Sequence, residues 1–267
     1  MSARAALAHA IDLERYPIDD LDGLAARTLV GRCREQLGRF GACELEGFLR
    51  ADVVTDAVRG VQGLRSLAFR TETTHNLEFT GREADLDADD PLRIQVRSAK
   101  ALLAYDQIPG DSPLRAVYES DVLTRFVGAA LEVEPIYRQA DEVGALNVMF
   151  YGEGDELGWH VDNADFVVTL MLQPSLSGGA FEYVPMLRSA DDPNPDGVRA
   201  LLTGDRAGVR ELSPAPGTLA LFRGRLSPHR VTPVSGPIPR INAVLSYASK
   251  PDAMLSAAAR QIFFGRE

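Results

Sequence analysis

The chain has 267 residues, 45% of them hydrophobic, enough for one sizeable core with helical additions rather than a second domain. A formal net charge of −10 argues against nucleic acid or an anionic membrane as partner, since both need a basic surface. It leaves small-molecule substrates open, because a local pocket need not follow the global sign.

The two cysteines, Cys33 and Cys43, form no CxxC pair and no zinc spacing, and read as reduced core or near-core thiols. A cytoplasmic location fits. Met1 to Asp12 lacks the basic-then-apolar layout of a signal peptide, and no apolar run approaches a membrane span.

In chain order, Ile11 to Ile18 reads as a short strand. Asp19-Asp20 caps a helix from Leu21 to Phe40, with Leu24, Leu29, Val30, Cys33 and Leu37 at helical spacing and Gly41 as its stop. Ala42 to Leu49 alternates and reads as a strand. A second helix is expected from Asp52 to Phe69. Thr71 to Pro91, polar and rich in Asp and Thr, reads as a long loop of the kind that forms lids. Leu92 to Val96 reads as a strand. Asp111-Ser112-Pro113 opens a third helix with a stripe from Leu114 to Leu131. The acidic runs Glu83 to Asp90 and Asp191 to Asp196 read as solvated loops.

After Pro135 the character changes. Eight short apolar or alternating runs follow: 136–138, 145–151, 159–162, 166–173, 179–184, 218–222, 229–234 and 241–248. Gly, Pro, Asn and Asp separate them, and Ser189 to Arg210 reads as an insertion. The expected fold class is α+β: a double-stranded β-helix (jelly roll) core with the N-terminal helices packed on one sheet. One domain spans 1–267, mainly helical over 1–134, with the jelly-roll core over 135–250.

Within this β half, Gly158-Trp159-His160-Val161-Asp162 places an imidazole and a carboxylate two residues apart. In a strand, residues i and i+2 share a face, so His160 and Asp162 can grip one metal ion. His229 supplies a third ligand. Two histidines and one carboxylate on one face of a metal leave positions open for a cosubstrate and O₂, which suits non-haem Fe(II). Arg240 opens the run Ile241 to Tyr247, and its guanidinium would hold a dicarboxylate lying beside the metal. A lone HxD matches by chance; HxD, then His, then Arg, in this order on strands, is a specific pattern.

Several nearby residues have two readings. Asn147, Met149 and Tyr151 alternate onto one strand face, and Asn147 is either a cofactor or substrate contact or a structural amide. Trp159, the only tryptophan, points away from His160 and reads as core packing. Asn163 and Asp165 either contact a polar substrate or form a turn. Arg93 and Arg97 read as surface residues before a substrate clamp, and His75 as solvent-exposed. Arg188 has no readable role.

These residues resemble the iron(II)- and 2-oxoglutarate-dependent oxygenases. Tyr151 to His160, Phe166 to Leu170 and Gly178 to Pro185 resemble more narrowly the group containing the carrier-independent lysine halogenases and their hydroxylase relatives. The firm likeness covers Asn147 to Tyr247. It implies His160, Asp162 and His229 as iron ligands and Arg240 at the distal carboxylate of 2-oxoglutarate, with O₂ as cosubstrate. In the halogenases of that group a small residue replaces the metal carboxylate and chloride binds there. Asp162 fills that position here, so the resemblance implies hydroxylation of an unactivated C–H bond, with a free amino acid or derivative as substrate. Desaturation or cyclisation at the same centre, and a non-catalytic metal- or ligand-binding jelly roll, remain as alternatives. The carbon attacked is not readable, and a homodimer stays open.

Overall fold

In the computed structural model the described residues are 3–80 and 86–266. Helix α1 (Ala3–Ala10) is followed by α2 (Leu24–Phe40), strand β1 (Ala42–Leu45) and α3 (Ala51–Gly63). Strands β2 (Phe69–His75) and β3 (Val96–Leu103) precede α4 (Pro113–Tyr118) and α5 (Asp121–Leu131). The β-rich half holds β4 (Tyr137–Arg138), β5 (Leu146–Tyr151), β6 (Glu156–His160), β7 (Val167–Gln173), β8 (Ser177–Gly178) and β9 (Phe181–Tyr183). After α6 (Pro195–Leu202) come β10 (Arg210–Leu212), β11 (Leu219–Phe222), β12 (His229–Val231), β13 (Val234–Ser235), β14 (Arg240–Leu245), β15 (Tyr247–Ala248) and the closing helix α7 (Ala257–Phe264).

Eleven strands form one antiparallel sheet in the order β1-β11-β7-β14-β5-β3-β6-β12-β9-β10, with β2 added beside β3. Strand β3 is the corner that curls this sheet. Its residues 101–103 pair with β5, while Ser98 and Ala99 pair with Leu157 and Glu156 of β6. One wall thus runs from β1 to β5 and the other from β6 to β10, as the jelly-roll reading expects.

Strand alternation separates the two faces of the first wall. Leu146, Val148 and Phe150 of β5, Val168, Leu170 and Leu172 of β7, and Ile241, Ala243 and Leu245 of β14 join the helices in the main core. Each of these fully buried Val, Leu, Ile and Phe side chains contributes about 1.5–3 kcal/mol. Helix α2 meets them through Leu29, Cys33 and Leu37, and ends where Gly41 turns left-handed (φ 69°) and donates its N–H to Leu37 O. Both cysteines are buried and free. The opposite face carries Asn147, Met149 and Tyr151 from β5 and Arg240 and Asn242 from β14, so polar groups line the barrel interior.

Several expectations change. Ile11 makes one bridge, to Leu49, and the rest of 11–18 is turn rather than strand. The polar stretch after Phe69 is not all loop: β2 pairs along its whole length with β3, where an exposed edge strand tolerates Arg and Glu, and the threonines favour extended backbone. The helix expected to reach Phe69 stops at Gly63. The strand expected over Leu92 to Val96 begins only at Val96, after a short 3₁₀ turn at Pro91–Arg93. The third helix splits because the Ser120 side chain accepts from Leu123 N–H and starts α5 afresh. The expected insertion contains α6, capped by Asn194. Helix α7 was not foreseen. The sheet also takes β1, β2 and β3 from before residue 135, the limit expected for the jelly roll. Asp191 to Asp196 is largely exposed, as are Asp87 to Asp89; Glu83 to Asp85 lie outside the described residues. Among the described residues no helix is long and apolar enough to cross a membrane.

Candidate active site

Strand β6 ends at His160 and β12 begins at His229, and the two residues face each other across the ladder. Their rings lie 4.0 Å apart between centroids. The Nδ1 of His160 is 2.9 Å from Gly158 O, and that of His229 is 3.0 Å from Ser227 O. A carbonyl accepts only from an N–H, so each ring carries a proton on Nδ1, and it is Nε2 that carries the lone pair of the neutral ring. Burial and the neighbouring His229 hold His160 well below the usual histidine range, so that lone pair is free at neutral pH.

Asp162 lies two residues beyond the end of β6, a correction to the view that one strand carries both ligands. Val161 N–H donates to Leu77 O at 2.9 Å and Asp162 N–H to Gly224 O at 3.3 Å, and these two bonds carry the extended register past the strand. Asp162 Oδ1 is 3.8 Å from His160 Nε2, and Oδ2 is 3.6 Å from His229 Nε2. The three ligand atoms lie within 4.8 Å of one another. Two donors on one metal at ordinary bond lengths stand roughly 3–4 Å apart. Oδ2 is moreover buried without a hydrogen-bond partner among the described residues. A buried carboxylate oxygen left unpaired is costly, and a bound cation would satisfy it. Burial raises the Asp162 pKa.

Gly224 presses directly on this carboxylate. A Cβ there would fall 1.7 Å from Asp162 Oδ2. The position admits no side chain while Asp162 holds its orientation.

Deeper in the barrel, Arg240 stands opposite Tyr151, with its guanidinium 5.6 Å from the centre of the Tyr151 ring. It is 5% exposed, and among the described residues its side chain has no hydrogen bond or ion pair. Burial pulls its pKa down, but a guanidinium stays charged, so this is a buried cation waiting for an anion. Asn147 lies on the same β5 face, buried, with Oδ1 unpartnered among the described residues.

Lys100 escaped sequence reasoning. On β3, Ala101 pairs with Phe150, so Lys100 falls next to Tyr151 and continues the row Arg240–Tyr151 across a third strand. It is 3% exposed, and its ammonium has no hydrogen bond or ion pair among the described residues. The ammonium lies 5.4 Å from the Phe263 ring of α7, and burial pushes its pKa down to about 8. Its charge helps to depress the pKa of both His160 and His75. The available signal was a lysine among the small and apolar residues of the run Val96 to Leu103.

His75 is buried rather than exposed. Its Nε2 meets Ser98 Oγ at 2.6 Å, and its ring stacks on Phe79 at 3.7 Å, whose edge in turn faces His160 at 5.7 Å. Trp159 packs with Leu77, Val161 and Val184, as expected of a core residue. Arg97 is a surface residue paired with Glu72 and Glu156, and Arg93 donates to Leu86 O; neither lines the cavity beside Asp162.

That cavity has a volume of about 910 Å³. Asn163, Asp165 and Arg188 line it, together with Glu78, Arg223 and Arg225, which the sequence did not single out. Arg188 Nη2 binds Glu78 Oε1 at 2.6 Å, which gives Arg188 a place it lacked.

The profile of the Halogenase D family matches residues 27–262. The chain belongs to the Halogenase D family. Solved structures share its fold at low identity. AviO1 from Streptomyces viridochromogenes matches with a TM-score of 0.56 and 20% identity, covering 84% of this chain and 96% of that one. A 2OG-Fe(II) oxygenase family oxidoreductase from Burkholderia pseudomallei matches with a TM-score of 0.52 and 16% identity, over 84% and 92%. EctD from S. alaskensis, solved with 2-oxoglutarate and 5-hydroxyectoine, matches with a TM-score of 0.52 and 21% identity, over 81% and 74%. Comparison with curated protein sequences gave no match.

Proposed function

We propose that this protein is an Fe(II)- and 2-oxoglutarate-dependent hydroxylase of an unactivated C–H bond in a small polar substrate, a free amino acid or close derivative. One observation carries the reading. Two imidazole lone pairs and an unpartnered buried carboxylate oxygen converge on one point, with unpaired cations in the same barrel. A non-catalytic module has no need to bury Arg240 unpaired.

His160, Asp162 and His229 would hold the iron, and Arg240 the distal carboxylate of 2-oxoglutarate, with Lys100 adding positive charge for the dianion. Asn147 is proposed as a further contact of 2-oxoglutarate or substrate. The bound iron and 2-oxo acid would supply the oxidising power, converting substrate, O₂ and 2-oxoglutarate to alcohol, succinate and CO₂. This chain's own task is geometric. The carbonyls of Gly158 and Ser227 fix the ring orientations, and Phe79 shields His160 on one side. The cavity beside Asp162 would decide which C–H bond comes nearest the metal, since a shift of about 1 Å changes rate and product.

Asp162 also supports hydroxylation over halogenation. A carboxylate already occupies the position that chloride would take and adds a negative charge beside it. The test is succinate formation by protein loaded with Fe(II) and 2-oxoglutarate, with and without a panel of free amino acids. The expected result is stimulation by at least one of them, with a product heavier by one oxygen atom. No succinate under any condition would remove the oxygenase reading.

A further inference from the structure

Five charged side chains besides Asp162 line the cavity: Glu78, Asp165, Arg188, Arg223 and Arg225. Four of them pair off. Arg188 binds Glu78 at 2.6 Å, and Arg225 Nη1 lies 3.4 Å from Asp165 Oδ1. Arg223 is left over. Among the described residues its side chain has no hydrogen bond or ion pair, and its Nε is buried without a partner. Arg223 as a whole is half-buried, but an Nε–H withdrawn from water with nothing to accept from it is unfavourable, so this guanidinium suits an anion in the cavity.

Its position is fixed from both sides. Arg223 N–H donates to Gly41 O at 2.8 Å, just past the end of α2. The next residue, Gly224, is the one that abuts the Asp162 carboxylate. Arg223 therefore springs from the backbone one residue away from the contact with the proposed metal ligand, and reaches into the cavity that this ligand lines.

We propose that Arg223 anchors a free carboxylate of the substrate, so that the enzyme acts on carboxylate-bearing molecules and not on their amides, esters or peptide-linked forms. The inference rests on the proposed oxygenase function and narrows its substrate class. With Asp162 assigned to the proposed metal, the other two acids of the cavity, Glu78 and Asp165, are engaged by Arg188 and Arg225, and the unspent charge among the remaining groups is that of Arg223. A planar guanidinium matches a carboxylate with two parallel hydrogen bonds. Held there, the substrate presents the rest of its carbon chain toward Asp162 and the metal.

The test uses the full chain with Fe(II) and 2-oxoglutarate, and a panel of proteinogenic L-amino acids and their carboxamides. Binding is measured by calorimetry without oxygen, and turnover by succinate formation with oxygen. For the amino acid that binds best, the carboxamide should bind on the order of 10- to 100-fold more weakly. Arg223→Gln should weaken the acid by the same factor and leave the carboxamide where it was. Arg223→Lys should recover part of the loss. Titrations of Fe(II) and 2-oxoglutarate into R223Q, with its melting temperature, show whether the fold and the metal centre are intact. An acid and amide bound alike, or R223Q weakening both equally with its fold and metal centre intact, would overturn the anchor while leaving the oxygenase reading in place. Absence of any succinate from the parent protein would overturn both. If R223Q does not fold, acid against amide in the parent protein still decides.

Discussion

Replacing Gly224 with alanine adds one methyl group and removes no ligand, yet it should empty the proposed metal site. The new Cβ would lie 1.7 Å from Asp162 Oδ2, 2.7 Å from its Cγ and 3.2 Å from its Cβ. Ordinary contact needs about 3.5 Å, so the carboxylate must retreat by roughly 1.5–2 Å. A metal bond tolerates about 0.2 Å. Asp162 would then cease to be a ligand, and Fe(II) affinity should fall by about 100-fold or more, the upper end of what a disturbed support costs. Gly224 does not have the left-handed backbone that alanine resists. Backbone strain therefore does not oppose the change, and the cost falls on the Asp162 side chain rather than on the fold. The assay is anaerobic Fe(II) titration by calorimetry, with circular dichroism to confirm the fold. The Asp162→Ala, Gly224→Ala double variant should bind no worse than Asp162→Ala alone, since both changes remove the same ligand. Iron binding in G224A within threefold of the parent would refute the reasoning.

Lys100→Met should raise the stability of the metal-free protein while weakening 2-oxoglutarate binding. Moving the Lys100 pKa from 10.5 to about 8 corresponds to about 3 kcal/mol lost to keeping the ammonium buried. That loss is complete below pH 8 and fades between pH 8 and 10.5, where only the unfolded chain stays protonated, so the denaturation gap between variant and parent should narrow across that window. A gap independent of pH would show that packing, not charge, is responsible. His229→Ala should abolish iron binding and turnover, and an active variant would remove His229 from the site. Asp162→Gly should lower hydroxylation and, in chloride buffer, yield chlorinated product by mass spectrometry; unchanged hydroxylation would argue that Asp162 is no ligand.

The convergence of His160, Asp162 and His229, the proposed metal ligands, was legible because the pattern is local in sequence and its strands announce themselves. His160 and Asp162 are two residues apart, and His229 sits in a run whose alternation and flanking turns mark it as strand. The jelly roll was legible for the same reason: short apolar runs between Gly, Pro and Asp. Charge and exposure were harder. Lys100 sits in a run that was not recognised as a strand, and only the register of β3 against β5 brings it beside Tyr151 and into line with Arg240. His75 read as exposed because its own neighbours are polar, yet β2 pairs with β3 and Phe79 folds over the ring. Asp162 read as a strand residue; the chain leaves the ladder at His160 and reaches the same point through bonds to Leu77 and Gly224.

By itself, then, the sequence determined the fold class and pointed to the three side chains that the fold brings together and to the guanidinium on β14, because period-two patterning and ligand chemistry are properties of short segments. Only the tertiary structure decided which cations remain without partners. Pairing depends on groups 60 to 110 positions apart in the chain, as Arg225 with Asp165 and Arg188 with Glu78 show, and on the packing that buries the Arg223 Nε with nothing to accept from it among the described residues.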